Sequence, residues 1–217
     1  MKKIIIICLL AFLAIPVFAQ QVGNAPSEFK IFKGWNLVTY PVFGYLYQKD
    51  FFKNGILYVL NPIDKQYYGG KGAKNIQERI NVMSQSYDDD HFPMLGFWIY
   101  SEKGLDIQRA EMQDEGQDQN SLKQLYGLYS GWNLIGISSV MVGQKIVDFK
   151  GDCDIKSSYF FNPVNQSWES SRSDGFENEL LEDSMKGYGI AINVGKDCQF
   201  DFENNSNSGG TPPALPN

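Results

Sequence analysis

Two stretches of this chain repeat one another ninety-seven positions apart: Gly34, Trp35, Asn36, Leu37 and Val38 return as Gly131, Trp132, Asn133, Leu134 and Ile135. Two further landmarks follow in the same order. The run 58–62, ending in Asn61-Pro62, recurs at 159–163, and Gly96 with the aromatic run behind it recurs at Gly187. Colinear matches with slightly changing offsets are what a duplicated module with loop insertions leaves behind. The spacing far exceeds the roughly 20–50 residues of solenoid and propeller repeats, so each copy reads as a small domain rather than a stacking unit. On this alignment Trp35 superposes on Trp132, Asn61 on Asn162 and Gly96 on Gly187.

Within each copy the apolar periodicity is that of strands. Residues 28–32 alternate, Lys33-Gly34 offers a turn, and 35–41 continues as a second strand, which predicts a hairpin repeated at 125–138. Trp35 and Leu37 share one side of that strand and Val38 takes the other; a strand apolar on both sides is covered on both, so Trp35 and Trp132 read as core residues. Asn36 and Asn133 stand among them, and a buried amide there must bond backbone groups of a neighbouring loop. Asn-Pro at 61–62 and 162–163 predicts a second hairpin, with Asp64 and Asn165 at the left-handed position. Ile76, Ile80 and Met83 recur at helical spacing, which predicts a short helix over 75–84 with a reduced counterpart at 176–181. A strand at 97–100 or 188–192, a turn, and a last strand at 105–108 or 198–202 complete the copy. The expected fold is mostly β: tandem small sandwiches or partly open barrels, each with at most one short helix.

The ends and the linker differ in composition. Lys2 and Lys3, an apolar run from residue 4 to 16 and small residues at 17 and 19 form the pattern of a signal peptide spanning 1–19. Residues 20–27 then form a linker, 28–108 and 122–202 the two modules, 109–121 an acidic linker and 203–217 a tail too polar to order itself. The formal net charge is −6, and −8 once the leader with its two lysines is removed. Such a balance disfavours nucleic acid and anionic lipid as partners. No second apolar stretch of spanning length follows the leader, so the processed chain is expected to be secreted or held at the cell surface without crossing a membrane.

Cys153 and Cys198 survive processing, and in an oxidising compartment such a pair reads as a disulfide. The alignment maps them to Phe52 and Ile107, so a covalent contact in the second copy replaces an apolar one in the first. The residues of chemistry are scarce. His91, inside the run Asp88, Asp89, Asp90, is the single histidine, with no Gly-x-Ser-x-Gly elbow to accompany it. One histidine cannot assemble a zinc site; Asp88, Asp89 and Asp90 are candidates to share a calcium ion through carboxylate and backbone oxygens, although they lack the alternating ligands and glycine of a calcium loop and read first as a solvated acidic loop. No cofactor is implied. Gly69, Gly70, Lys71 and Gly72 lack the Ser or Thr of a phosphate loop and read as a mobile loop. Asn165 and Asn204 head glycosylation sequons.

Gly-Trp-Asn-Leu-Ile near the start of a module and Gly-Phe-Trp-Ile near its end resemble repeat modules of secreted and cell-surface proteins of archaea and little-characterised bacteria. Residues 131–137 and 96–100 carry the likeness, and the two copies together cover nearly all of the processed chain. The second copy departs at Gly189, where the pattern has tryptophan, which predicts a gap or a flexible edge there. The resemblance implies an extracellular β-rich module with no catalytic residue. The expected function is therefore noncatalytic adhesion or surface assembly with a cell-surface protein or glycan as partner. The alternative is a carbohydrate-binding protein that stacks sugars on Tyr67, Tyr68 or Trp168; with aromatics at 14% of the chain, rings remain for a surface after a core is filled.

Overall fold

The computed structural model describes residues 28–84, 94–108, 126–169 and 175–202. The leader, the acidic run at 88–90 with His91, the linker 109–121 and the tail lie outside them.

Twelve strands and three helices alternate along the described chain. The first copy holds β1 (Glu28–Ile31), β2 (Gly34–Val38), α1 (Tyr40–Gln48), β3 (Ile56–Leu60), β4 (Tyr67–Lys71), α2 (Ala73–Ser84), β5 (Phe97–Ser101) and β6 (Leu105–Gln108). The second holds β7 (Gly127–Leu128), β8 (Gly131–Gly136), α3 (Ile146–Phe149), β9 (Ile155–Asn162), β10 (Ser167–Glu169), β11 (Gly189–Val194) and β12 (Cys198–Gln199). Each copy builds one four-stranded antiparallel sheet, in the order β2-β5-β3-β4 and β8-β11-β9-β10, and one two-stranded sheet, β1-β6 and β7-β12. The duplication read from the sequence is thus a duplication of topology.

The register corrects the alignment near the end of each copy. Val38 and Ile135 are equivalent, and they face Phe97 and Ile190 respectively. Gly96 therefore corresponds to Gly189, not Gly187, and Trp98 to Ala191. Gly189 leaves no gap: it is buried, and a Cβ there would sit 2.6 Å from the Leu37 side chain. The same two-residue shift moves the partner of Cys198. Ile31 and Leu128 are equivalent and face Leu105 and Cys198, so Cys198 corresponds to Leu105 rather than Ile107. The Cys153–Cys198 bond itself is present.

Other expectations change for local reasons. β1 pairs with β6, and so does not form a hairpin with β2. The Asn36 side chain takes both backbone groups of Phe32: it accepts from the Phe32 N–H at 2.8 Å and donates to the Phe32 carbonyl at 2.8 Å. That clamp makes a corner, not a hairpin turn. Asn133 does the same to Tyr129, at 3.0 and 2.7 Å. Both amides are buried, and leaving such a site unpaired costs about 1–3 kcal/mol. The second strand ends at Val38, after which Thr39 and Pro41 start α1, proline being preorganised for a first helical turn. The first copy consequently carries two helices where one was expected. The left-handed residues of the Asn-Pro hairpins are Lys65 and Gln166, one position later than Asp64 and Asn165. Gly69 and Gly70 belong to β4 and not to a mobile loop; at Gly69 a Cβ would lie 2.1 Å from the Leu57 carbonyl oxygen, which only glycine permits. The last strand covers Cys198 and Gln199 alone, and Phe200 and Phe202 beyond it are buried.

One continuous core runs through both copies, from Phe29 and Phe97 to Phe160 and Ile190. The helices close it: Phe43 of α1 stacks on Phe97 at 4.8 Å, and Ile76 and Met83 of α2 are fully covered. The copies join by reciprocal contacts. Val38 bridges to Tyr188 and Leu95 to Ile135, which are the same contact seen from either copy. The Asn-Pro hairpin tips repeat the exchange. Gln166 bonds the Trp35 N–H at 2.7 Å and the Trp35 carbonyl at 2.9 Å, while the Lys65 ammonium donates to the Trp132 carbonyl at 3.3 Å. An interface in which residue i meets j and the equivalent of j meets the equivalent of i is an approximate twofold, as in an isologous dimer.

Candidate functional site

In a strand successive side chains alternate sides, and paired residues share one. The core side of the two large sheets takes Leu57, Val59, Phe97 and Ile99 in the first and Phe160, Ile190 and Ile192 in the second. The other side takes Trp35, Leu37, Tyr58, Leu60, Tyr67, Trp98 and Tyr100, and in the second sheet Trp132, Leu134, Tyr159, Phe161, Trp168 and Ala191. All four tryptophans of the chain stand on this second side. Trp35 and Trp132 are therefore not residues of the main core: Trp35 is half-buried and Trp132 is 41% exposed.

Near the twofold the second sides of the two sheets meet. Leu37, Leu60, Leu134, Phe161 and Ala191 form a small separate buried cluster, and Trp35 and Trp98 pack at its margin. Away from the axis the rings reach solvent and touch one another in a continuous band. Trp132 lies 6.0 Å from Tyr159, Tyr159 lies 6.5 Å from Trp168, and Trp168 lies 5.5 Å from Trp98 across the junction between copies. Trp98 continues to Trp35 at 6.2 Å and Trp35 to Tyr100 at 5.3 Å. The rings are mostly steeply inclined to their neighbours, at 86° for Trp98 and Trp168 and 85° for Trp35 and Trp98. The band is a lined track and not a flat platform.

The asymmetry of the band comes from substitutions between copies: Trp98 and Tyr100 stand where the second copy has Ala191 and Asn193, and Phe161 stands where the first has Leu60. Trp98 crosses the junction onto Phe161, at 4.7 Å, and onto Trp168, whereas its counterpart Ala191 has no ring to send toward Leu60 and Tyr67. Tyr67 corresponds to Trp168 and is half exposed. Of the three stacking residues expected from sequence, Tyr67 and Trp168 lie on this side. Tyr68 turns to the other: its ring packs against the main core and its hydroxyl donates to Asp64 at 2.6 Å, a bond that holds the phenol above its usual pKa.

Electrostatically the band is almost neutral. Among the outward positions of the regular ladders only Lys71 carries a charge; at the register shift of β9 the exposed Lys156 is paired with Asp154 at 2.6 Å. Lys65 stands at the rim; partial loss of water lowers its ammonium pKa, and Asp197 opposes that shift. The neutral groups beside the rings are Ser157 and Asn193, set opposite one another on β9 and β11. Elsewhere the acidic residues at 177–183 form no metal cluster among the described residues, and Glu177 is engaged by Ser158, which also accepts its backbone N–H at 2.7 Å. No helix among the described residues is long and apolar enough to cross a membrane.

Sequence reasoning found Tyr67 and Trp168 but missed the rest of the band because it assigned Trp35 and Trp132 to the core. The signal available was the second apolar side of each strand, which needs a second cover or a ligand. The chain matches no protein-family model, no curated protein and no solved structure.

Proposed function

We propose that this is a noncatalytic, exported binding protein that attaches to a cell-surface partner through the aromatic band shared by its two copies. The observation that carries the reading is the placement of all four tryptophans on one side of the sheets, with Trp132 at 41% and Trp168 at 43% exposure. Large exposed apolar area of that kind marks an interaction surface, and tryptophan is the residue that most often dominates binding energy. The leader-like start, the disulfide and the resemblance to surface modules support export. The acidic and histidine-poor composition supports a role without catalysis.

The test is attachment of labelled protein to isolated cell-envelope fragments of the source organism. The Trp132→Ala/Trp168→Ala double variant is expected to bind about thirtyfold more weakly or worse, the loss equivalent to about 2 kcal/mol of hot-spot energy. Both side chains are more than half covered, Trp168 by Trp98 and Phe161, so the melting temperature of the double variant is measured alongside to show that it stays folded at the temperature of the assay. Attachment that survives the double substitution would refute the reading.

A further inference from the structure

We infer that the aromatic band takes a single extended chain of uncharged sugar residues, in one site that crosses from one copy to the other. The inference rests on the binding role proposed above and names the chemistry of its ligand.

Three features of the band select that ligand. The first is its charge. The chain is net acidic, yet the regular outward positions of the band hold no carboxylate and a single lysine at Lys71; the nearby Lys156 is paired with Asp154, and Lys65 is engaged with the Trp132 carbonyl. An anionic polymer meets a repelling protein with little to compensate, and a cationic one finds no partner on the band, so a neutral ligand fits best. The second is the chemistry of the surface. Ring faces carry a negative quadrupole that attracts the weakly positive C–H face of a sugar, while the hydroxyls of Tyr58, Tyr100 and Tyr159, the Ser157 hydroxyl and the Asn193 amide supply neutral hydrogen-bonding groups beside them. An apolar protein partner would use the rings but not this fringe. The third is shape. Six rings follow one another at 5.3–6.5 Å between Tyr100 and Trp132, and the contact of Trp98 with Trp168 carries the series across the junction without a break. A continuous series suits a chain longer than one or two sugars. The inclination of successive rings, 86° at the junction, excludes flat contact with a crystalline polymer surface and leaves an isolated soluble chain as the occupant.

The experiment titrates the full-length oxidised protein by calorimetry with di- and hexasaccharides of the cello, chito and malto series. Hexagalacturonate serves as charged comparison and microcrystalline cellulose as crystalline comparison. The expected result is that at least one uncharged hexasaccharide binds, more tightly than its disaccharide, with little binding to either comparison. Trp132→Ala at one end and Tyr100→Ala at the other should each weaken hexasaccharide binding about three- to tenfold, the effect of losing one ring contact. The length dependence of the parent protein stands as a test even if a variant folds poorly. Binding of none of the uncharged series, a preference for the charged or the crystalline comparison, or equal affinity for di- and hexasaccharide would each overturn the inference. If the tryptophan double variant loses envelope attachment while no oligosaccharide binds, the binding role stands and the sugar is wrong. If ultracentrifugation shows that the band pairs two copies of the chain and no sugar binds, the occupant is a second protein molecule and the inference fails.

Discussion

Removal of the Cys153–Cys198 disulfide, by reduction or in the Cys153→Ala/Cys198→Ala double variant, is expected to lower the melting temperature of the full chain by roughly 8–16 °C. The two cysteines are 45 residues apart, a closed loop for which the chain-entropy account gives about 4 kcal/mol. A cooperative unit of this size shifts by about 2–4 °C per kcal/mol. The bond ties the turn after α3 to β12, and β12 is only two residues long, so ladder hydrogen bonds alone hold it weakly. The first copy needs no such bond because β6 is longer and its Ile107 is fully buried against Phe29. Thermal melts with and without reductant check this. An unchanged midpoint would mean that the loop between the cysteines is already constrained in the unfolded chain or not held in the folded one.

Replacing Gly136 by alanine should cost about 1–3 kcal/mol of overpacking, or about 2–12 °C in melting temperature. Thr39 and Gly136 are equivalent positions in the two copies, and they meet at the twofold, where equivalent residues must face each other. A Cβ on Gly136 would lie 2.5 Å from Thr39 Cγ2 and 3.2 Å from its Cα. Thr39 has little room to withdraw, since its N–H is bonded to the Gly187 carbonyl at 2.9 Å and it leads directly into α1. One copy can carry a side chain at the axis only because the other carries none. The double variant Thr39→Gly/Gly136→Ala should therefore recover most of the lost stability, measured in the same melts. Failure to recover would place the strain elsewhere than at the axis.

The duplicated strands were legible in sequence because the residues that define them are local: Asn36 and Asn133 each clamp a corner four residues away, and Asn61 and Asn162 shape their own turns. The side each strand shows to the core was not legible. β2 and β8 are apolar on both sides, so a period of two separates the sides without saying which meets the main core, and the tryptophans were placed on the wrong one. The two-residue misalignment has a similar origin. Gly187, Tyr188 and Gly189 offer two glycines to match with Gly96, and only the ladder from Ile135 to Ile190 decides between them. The strand expected at 35–41 runs into α1 because the proline that opens the helix reads equally well as a strand end, and residues 42–48 received no element from the pattern. The reciprocal grip of Lys65 and Gln166 left no trace in sequence beyond two unlike residues at equivalent positions, since it acts over 67 and 131 residues of chain.

The band depends on the two copies being one body, because Trp98 and Trp168 come from different copies. Scanning calorimetry of the full-length oxidised protein tests that most directly. The shared core and the reciprocal seam predict a single transition whose calorimetric and van't Hoff enthalpies agree, and a Gly136→Ala variant that shifts this one transition as a whole. Two resolved transitions, or a variant that moves only one of two components, would contradict it and would divide the binding surface between two independent modules.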